Sequence, residues 1–308
     1  MKKRLFIIGN GFDIEHDLST KYSDFLEFIE YGEGVELGGT GFAASIEYIY
    51  GIPVSYFWND FERNLGELSV EAVVENAIVQ RDDFNSEFDY ESVNDDAIIN
   101  HLERYYFHGL KLLDDLVKKW SENVEISQVQ PKEKYSNIFN GDSLFLTFNY
   151  TMVLEEIYDI PEENIFHIHG SVYDEPIMGH GGSRLDFYNG NQEKNDFLTE
   201  EFKEVVSNQI IEFYNSSNKD ISKIKNNIGV WLEHKDLAIE EIYVLGHSLG
   251  EVDYPYFEFI SDELNSSNWF ISYFGENDKM KKEQHLAKLR FVSRNIELVD
   301  SLLLPDFQ

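Results

Sequence analysis

Seven short apolar runs punctuate the chain, and all but the last stop at a cluster of Gly, Asn, His or Ser. They are LFIIGNG (Leu5–Gly11), SLFLTFNYT (Ser143–Thr151), NIFHIHGS (Asn164–Ser171), PIMGHGG (Pro176–Gly182), IYVLGHS (Ile242–Ser248), WFISYFG (Trp269–Gly275) and IELVD (Ile296–Asp300). Near-continuous apolar runs of this length, rich in β-branched and aromatic residues, predict parallel strands buried on both faces. Helical periodicity follows several of them. Tyr22, Phe25, Leu26 and Ile29 are spaced i, i+3, i+4, i+7, with Thr20 as the expected N-cap and Gly32 as the stop. Alternating strand and helix predicts an α/β fold, Rossmann-like, with a mostly parallel sheet and helices on both faces.

Residues 1–308 read as one α/β domain with two interruptions. Residues 42–134 carry helical periodicity and few strand signals, and a connection of that length is far beyond an ordinary βαβ crossover. They predict a helical insertion. Residues 185–236 predict a second, mostly helical excursion, in which NSSNKDISKIKNN is expected to be exposed. Gly38-Gly39-Thr40-Gly41 reads as a flexible loop; no Lys-Ser or Lys-Thr follows it, so it is not a phosphate-binding P-loop.

Charge narrows the partners. The chain has 308 residues, 42% of them hydrophobic, and a formal net charge of −33 with the acids spread along its length. Such a surface repels polyanions and anionic lipid, so a nucleic-acid partner is not expected. The absence of cysteine excludes disulfides, thiol nucleophiles and cysteine-ligated metals. Lys2-Lys3-Arg4 precedes only four apolar residues, too few for a signal-peptide core, and no apolar run is long enough to span a bilayer. A cytoplasmic protein with no membrane association is the expectation.

Candidate chemistry gathers where the runs end, which in an open α/β sheet is where ligands bind. Gly9 and Gly11 lack a β-carbon and so admit close approach of a pyrophosphate, with Asn10 and Asp13 able to bond ribose or backbone. A plain tight turn is the alternative, since the third glycine of the dinucleotide fingerprint is replaced by Ile14. Asn149, in Phe148-Asn149-Tyr150-Thr151, can orient a water or a ribose hydroxyl, or else cap the helix that follows. His167 and His169 fall on one face of a strand by alternation. His169, next to Gly170, is the candidate for proton transfer, and His167 reads as a core histidine. His180 in Gly179-His180-Gly181-Gly182 occupies a similar exit, but nearby carboxylates at ligand spacing are not evident and no metal is expected. Gly246-His247-Ser248-Leu249-Gly250 fits the G-x-S-x-G nucleophile elbow, which leaves open a serine acyl hydrolase using Ser248, with Asp262 or Asp278 and His285 completing the order. The other reading is a small-residue contact to phosphate or ribose.

Taken in order, GNGFD, FNYT, HIHG, IMGHG and LGHSLGEVD resemble the phage abortive-infection AbiH family over nearly the whole chain. Ser19-Thr20-Lys21-Tyr22-Ser23-Asp24-Phe25 and Trp58-Asn59-Asp60-Phe61-Glu62 add to the match, and Asp17 departs from it where the family carries Gly. The resemblance implies an antiphage role and leaves open a phage or host protein trigger and a homo-oligomer as partners. That family is in turn distantly similar to the sirtuin-type NAD-binding fold. On that likeness Gly9, Asn10 and Gly11 stand for the phosphate loop, with Phe12 beside it, and Phe148, Asn149 and Tyr150 for the loop at the nicotinamide ribose. His169 followed by Gly170 stands for the catalytic histidine, and Gly246, His247 and Ser248 for a cofactor-contacting segment. Thr151 replaces the expected acid, and a chain without cysteine cannot build the zinc module of the deacetylases. The implied activity is hydrolysis of NAD, or a related nucleotide, to nicotinamide and ADP-ribose, with Asn149, His169 and Asp13 catalytic. The alternative is a nucleotide sensor without catalysis. Trp58 and Glu62 lie four apart on one helical face, Trp58 in the core and Glu62 either exposed or reaching the site.

Overall fold

The computed structural model describes residues 3–87, 95–139, 141–188, 197–235, 238–291 and 295–304. The chain divides into two compact units, one of Met1–Lys21, Ser121–Ile177 and Asp220–Gln308, the other of Tyr22–Trp120 and Met178–Lys219.

The first unit is built on a six-stranded sheet of β1 (Arg4–Ile8), β2 (Leu144–Thr147), β3 (Ile165–His167), β4 (Glu241–Leu245), β5 (Asn268–Tyr273) and β6 (Ile296–Asp300). Every pairing is parallel, and the order is β3-β2-β1-β4-β5-β6. This is the doubly wound order in which the strand sequence reverses direction between β1 and β4. The α/β parallel sheet expected from the apolar runs is therefore observed. β1 pairs Leu5 with Leu144 on one side and with Ile242 on the other, so equivalent positions share a face. Leu5, Ile7, Leu146, Ile242 and Val244 meet Ile224 and Ile228 of the Ile221–Lys235 helix and Phe257 and Ile260 of the Tyr254–Glu263 helix. Phe6, Ile8, Phe145 and Leu245 meet Phe12, Tyr135, Val153 and Leu154 on the opposite face. Each such side chain, taken out of water, contributes roughly 1.5–3 kcal/mol.

Several local expectations are corrected by the structure. Pro176–Gly182 forms no strand, only one isolated parallel bridge between His180 and Asn218. β3 ends at His167, so His169 lies in the turn beyond it and strand alternation does not relate the two imidazoles. Thr20 caps nothing: it is buried with no hydrogen-bond partner for Oγ1, and the following helix runs Tyr22–Tyr31. Within NSSNKDISKIKNN, Ser217 and Lys219 are buried, and Ile224 belongs to the core beneath the sheet, because the segment opens the Ile221–Lys235 helix.

The second unit is helical among its described residues, with helices Tyr22–Tyr31, Gly39–Tyr50, Phe61–Leu65, Val70–Glu87, Leu113–Glu122 and Phe197–Ser216 among them. Gly38-Gly39-Thr40-Gly41 is not a loop but the start of a helix, with Gly38 in the left-handed region at φ 90° as its N-cap. A β-carbon at Gly39 would collide with the backbone of Ile29, so this glycine is required by close helix packing. Trp58 stacks on Phe61 at 4.4 Å and meets Phe25 edge-on at 5.2 Å, which places it in an aromatic core. Glu62 is buried and forms an ion pair with the equally buried Lys219 at 2.6 Å, while its Oε1 also accepts Gly179 N at 3.3 Å. The exposed-glutamate reading of Glu62 is overturned, since Lys219 is 157 positions away and invisible to local pattern.

Candidate functional site

The carboxyl ends of β1, β2, β3 and β4 bring together segments far apart in sequence, all within the first unit. The ladder continues past the strands through Gly9 N to Leu245 O at 2.9 Å, Phe148 N to Ile8 O at 2.9 Å and Ile168 N to Thr147 O at 2.8 Å. The loops therefore leave the sheet in register. A six-residue helix, α1 (Asn10–Glu15), starts at once from Gly9 and ends in a left-handed residue, Asp17 at φ 62°. This is the position where Gly was expected. Asp is one of the few side chains that tolerate this region, so the loop takes the form a glycine would give it.

Gly9 and Gly11 are needed for a reason the sequence did not show. A β-carbon at Gly9 would lie 2.6 Å from His247 Cα, and one at Gly11 would lie 2.6 Å from Gly246 O. Gly246, at φ 65°, would itself drive a β-carbon into the backbone nitrogen of Phe12. Gly11 N also donates to Gly246 O at 2.6 Å. The Gly9–Gly11 turn and the Gly246–His247 turn are thus packed backbone to backbone at the switch point.

Beside that junction lies a buried polar cluster. Thr151 Oγ1 donates to Asp13 Oδ2 at 2.7 Å, and Asn149 Nδ2 donates to Gly9 O at 3.3 Å. His167 Nδ1 lies 2.9 Å from Asn149 O, and since a carbonyl can only accept, Nδ1 carries the proton. His167 Nε2 faces Glu155 Oε1 at 2.9 Å. Asp13 is 1% exposed, and burial pushes its carboxyl up to about 7 against the lowering effects of the Thr151 hydroxyl, the Asn149 amide and His167. Among the described residues its Oδ1 has no hydrogen-bond partner, and neither has Glu155 Oε2. A buried carboxylate oxygen without a donor is costly, and that makes this cluster the candidate site.

The remaining expected residues fall around it with different environments. Asn10 is exposed and donates to Thr20 O at 2.7 Å. Phe12 is in the core, its ring 4.5 Å from His16 and 4.8 Å from Tyr135. Phe148 is half-buried against His247 at 4.4 Å and His169 at 5.4 Å. Tyr150 Oη donates to Ile177 O at 3.0 Å. His169 is 4% exposed and packed edge-on against Phe148 and Tyr256, and Gly170 after it turns at φ 74°. His247 is buried; its Nδ1 accepts Leu249 N at 2.9 Å and Nε2 points at Asp253 Oδ2 at 3.5 Å. Burial and, next, the Lys282 charge lower it to about 3, so it is a neutral imidazole. Ser248 is exposed. Of the residues expected to complete a serine hydrolase, His285 bonds Tyr254 Oη at 2.7 Å, and Asp278 takes Phe274 N at 2.8 Å and Lys282 at 2.9 Å. His180 belongs to the second unit, with Nε2 2.8 Å from Tyr214 O and Nδ1 accepting Gly182 N at 3.0 Å. Among the described residues no group of three or more His, Asp or Glu is placed to hold a metal.

Glu155 and the bonding role of His167 were not found from sequence. The available signal was slight: Glu155 follows Thr151 by four on the first turn after the Asn149 loop.

An all-parallel, doubly wound sheet with polar residues at its strand exits defines an open α/β protein. The chain itself belongs to the bacteriophage abortive infection AbiH family, whose model matches residues 5–273. No curated protein and no solved structure matches the chain. Membership suggests an antiphage abortive-infection role. Among the described residues, no helix is long and apolar enough to cross a membrane.

Proposed function

We propose that the protein acts in phage defence by binding NAD or a related nucleotide at the β1–β2–β4 strand exits and hydrolysing NAD to nicotinamide and ADP-ribose. The sirtuin-like resemblance of the motifs suggests the substrate. The observation that carries the chemistry is Asp13, a buried carboxyl pushed up to about 7, with one oxygen unpartnered, beside Asn149. In the reaction the bond from the ribose anomeric carbon to nicotinamide breaks, and the electron pair leaves with the nicotinamide nitrogen. A water oxygen bonds to the anomeric carbon and gives its proton to Asp13. A base with a pKa close to working pH is well matched to that transfer. The ionised carboxylate also offsets oxocarbenium charge on the ribose, and Asn149 orients the water. Incubating purified protein with NAD and following nicotinamide release tests this. Turnover in wild type that disappears in Asp13→Asn and Asn149→Ala is expected; a wild type inert alone and with phage lysate overturns it.

A sensor without catalysis is favoured by one observation: Asp13 is 1% exposed, so a ligand reaches it only if the loops open, and that opening can itself be the signal. Calorimetry separates the two, because Asn149→Ala abolishes binding in a sensor and turnover alone in an enzyme.

A further inference from the structure

The segment Phe148–Thr151 is tied to the sheet from two sides. Toward β1 the ties are Asn149 Nδ2 to Gly9 O and Thr151 Oγ1 to Asp13 Oδ2. Toward β3 the tie is His167, whose Nδ1–H holds the main-chain oxygen of Asn149 at 2.9 Å. An imidazole on its own can swing about its Cβ–Cγ bond. Glu155, on the turn after the loop, fixes it through Nε2 at 2.9 Å, with both side chains almost wholly removed from solvent. We infer that Glu155 and His167 are positioning residues: they set the orientation of Asn149 through its backbone and never contact the ligand. This rests on the reading of Asn149 as a site residue.

The hydrogen count makes the inference specific. With the Nδ1 proton committed to Asn149 O, Nε2 and Glu155 Oε1 share a single proton, held as an imidazolium beside a carboxylate or as a neutral imidazole accepting from a carboxylic acid. Either arrangement orients the ring equally. Glutamine at position 155 offers an N–H to the same Nε2, and its carbonyl occupies the place of Oε2, which has no partner to lose. Glu155→Gln therefore keeps the bond without the charge, and Glu155→Ala removes the bond. Both groups bear on Asp13: the His167 charge lowers its pKa and the Glu155 charge raises it.

The test is phage protection by the full chain, scored as efficiency of plating, alongside thermal melts and, where NAD is turned over, separate kcat and KM. Glu155→Ala is expected to lose protection by about a hundredfold, the scale on which small misplacement of a reacting group is felt, and to lower kcat with little change in KM. Glu155→Gln is expected to protect like wild type. Full protection by a folded Glu155→Ala overturns the inference. So does a Glu155→Gln protein that melts like wild type yet protects as poorly as Glu155→Ala, since charge and not orientation would then be the requirement. If Glu155→Ala fails to fold, Glu155→Leu, which removes the bond but keeps the volume, takes its place: lost protection is expected, and full protection overturns the inference. Because protection is read independently of nicotinamide release, an inert wild type removes the NAD reading and leaves this one standing.

Discussion

Asp13 is held in the fold at the expense of its charge. Burial raises its folded pKa from 3.8 to about 7, so between those values the folded protein binds a proton that the unfolded chain has released. Stability from this group is intact below about pH 4 and is lost progressively as pH rises to 7. Asp13→Asn, whose amide oxygen still accepts from Thr151, is expected to be more stable than wild type at pH 8 by about 1–4 kcal/mol, and no more stable at pH 4. Denaturant melts at the two pH values check it. Activity carries the opposite sign, with kcat/KM for NAD rising as pH increases through about 7, because only the ionised form accepts a proton. His169 shows what residue type alone conceals. A cleft histidine contributes little packing, but this one is buried between Phe148 and Tyr256. His169→Ala is expected to cost about 1–3 kcal/mol in melts through lost contacts, so a loss of protection in that variant must be judged against its stability.

At the scale of elements, the first and fourth strand exits meet backbone to backbone. Gly246 and Gly275 both adopt left-handed backbone, at φ 65° and 74°. A β-carbon at Gly275 meets nothing within 4 Å, whereas at Gly246 it overlaps Phe12 and Gly11. Gly275→Ala is expected to cost about 1–2 kcal/mol from backbone strain alone, and Gly246→Ala at least about 1–3 kcal/mol more from overpacking. Equal Tm losses in the two variants would contradict this account. Six of the seven apolar runs became strands, because continuous β-branched and aromatic residues suit a sheet covered on both faces. The other, Pro176–Gly182, has the same local appearance, but among the described residues it finds only the isolated bridge of His180 to Asn218. In the same way His167 and His169 look equivalent in HIHG, and only the end of β3 separates them: His167 holds Asn149 O, and His169 packs against Phe148 and Tyr256.

Over the whole molecule, a net charge of −33 sets a background of self-repulsion that the buried pairs do not relieve. Salt screens that repulsion within a Debye length of about 10 Å at 0.1 M. Tm is therefore expected to rise between low and moderate sodium chloride, and a Tm that falls over that range would show that attractive pairs dominate. The sequence by itself determined the class of fold, most of the points where strands give way to loops, and the family, because these depend on apolar period and on short ordered motifs. Tertiary structure alone decided which residues meet. Glu155 joins His167, Lys219 neutralises Glu62, and Gly246 fills the space left by Gly11. Each of these is a contact between segments whose separation along the chain carries no period, so it arises only once the sheet order has brought the strand exits together or the helices have closed around a charge.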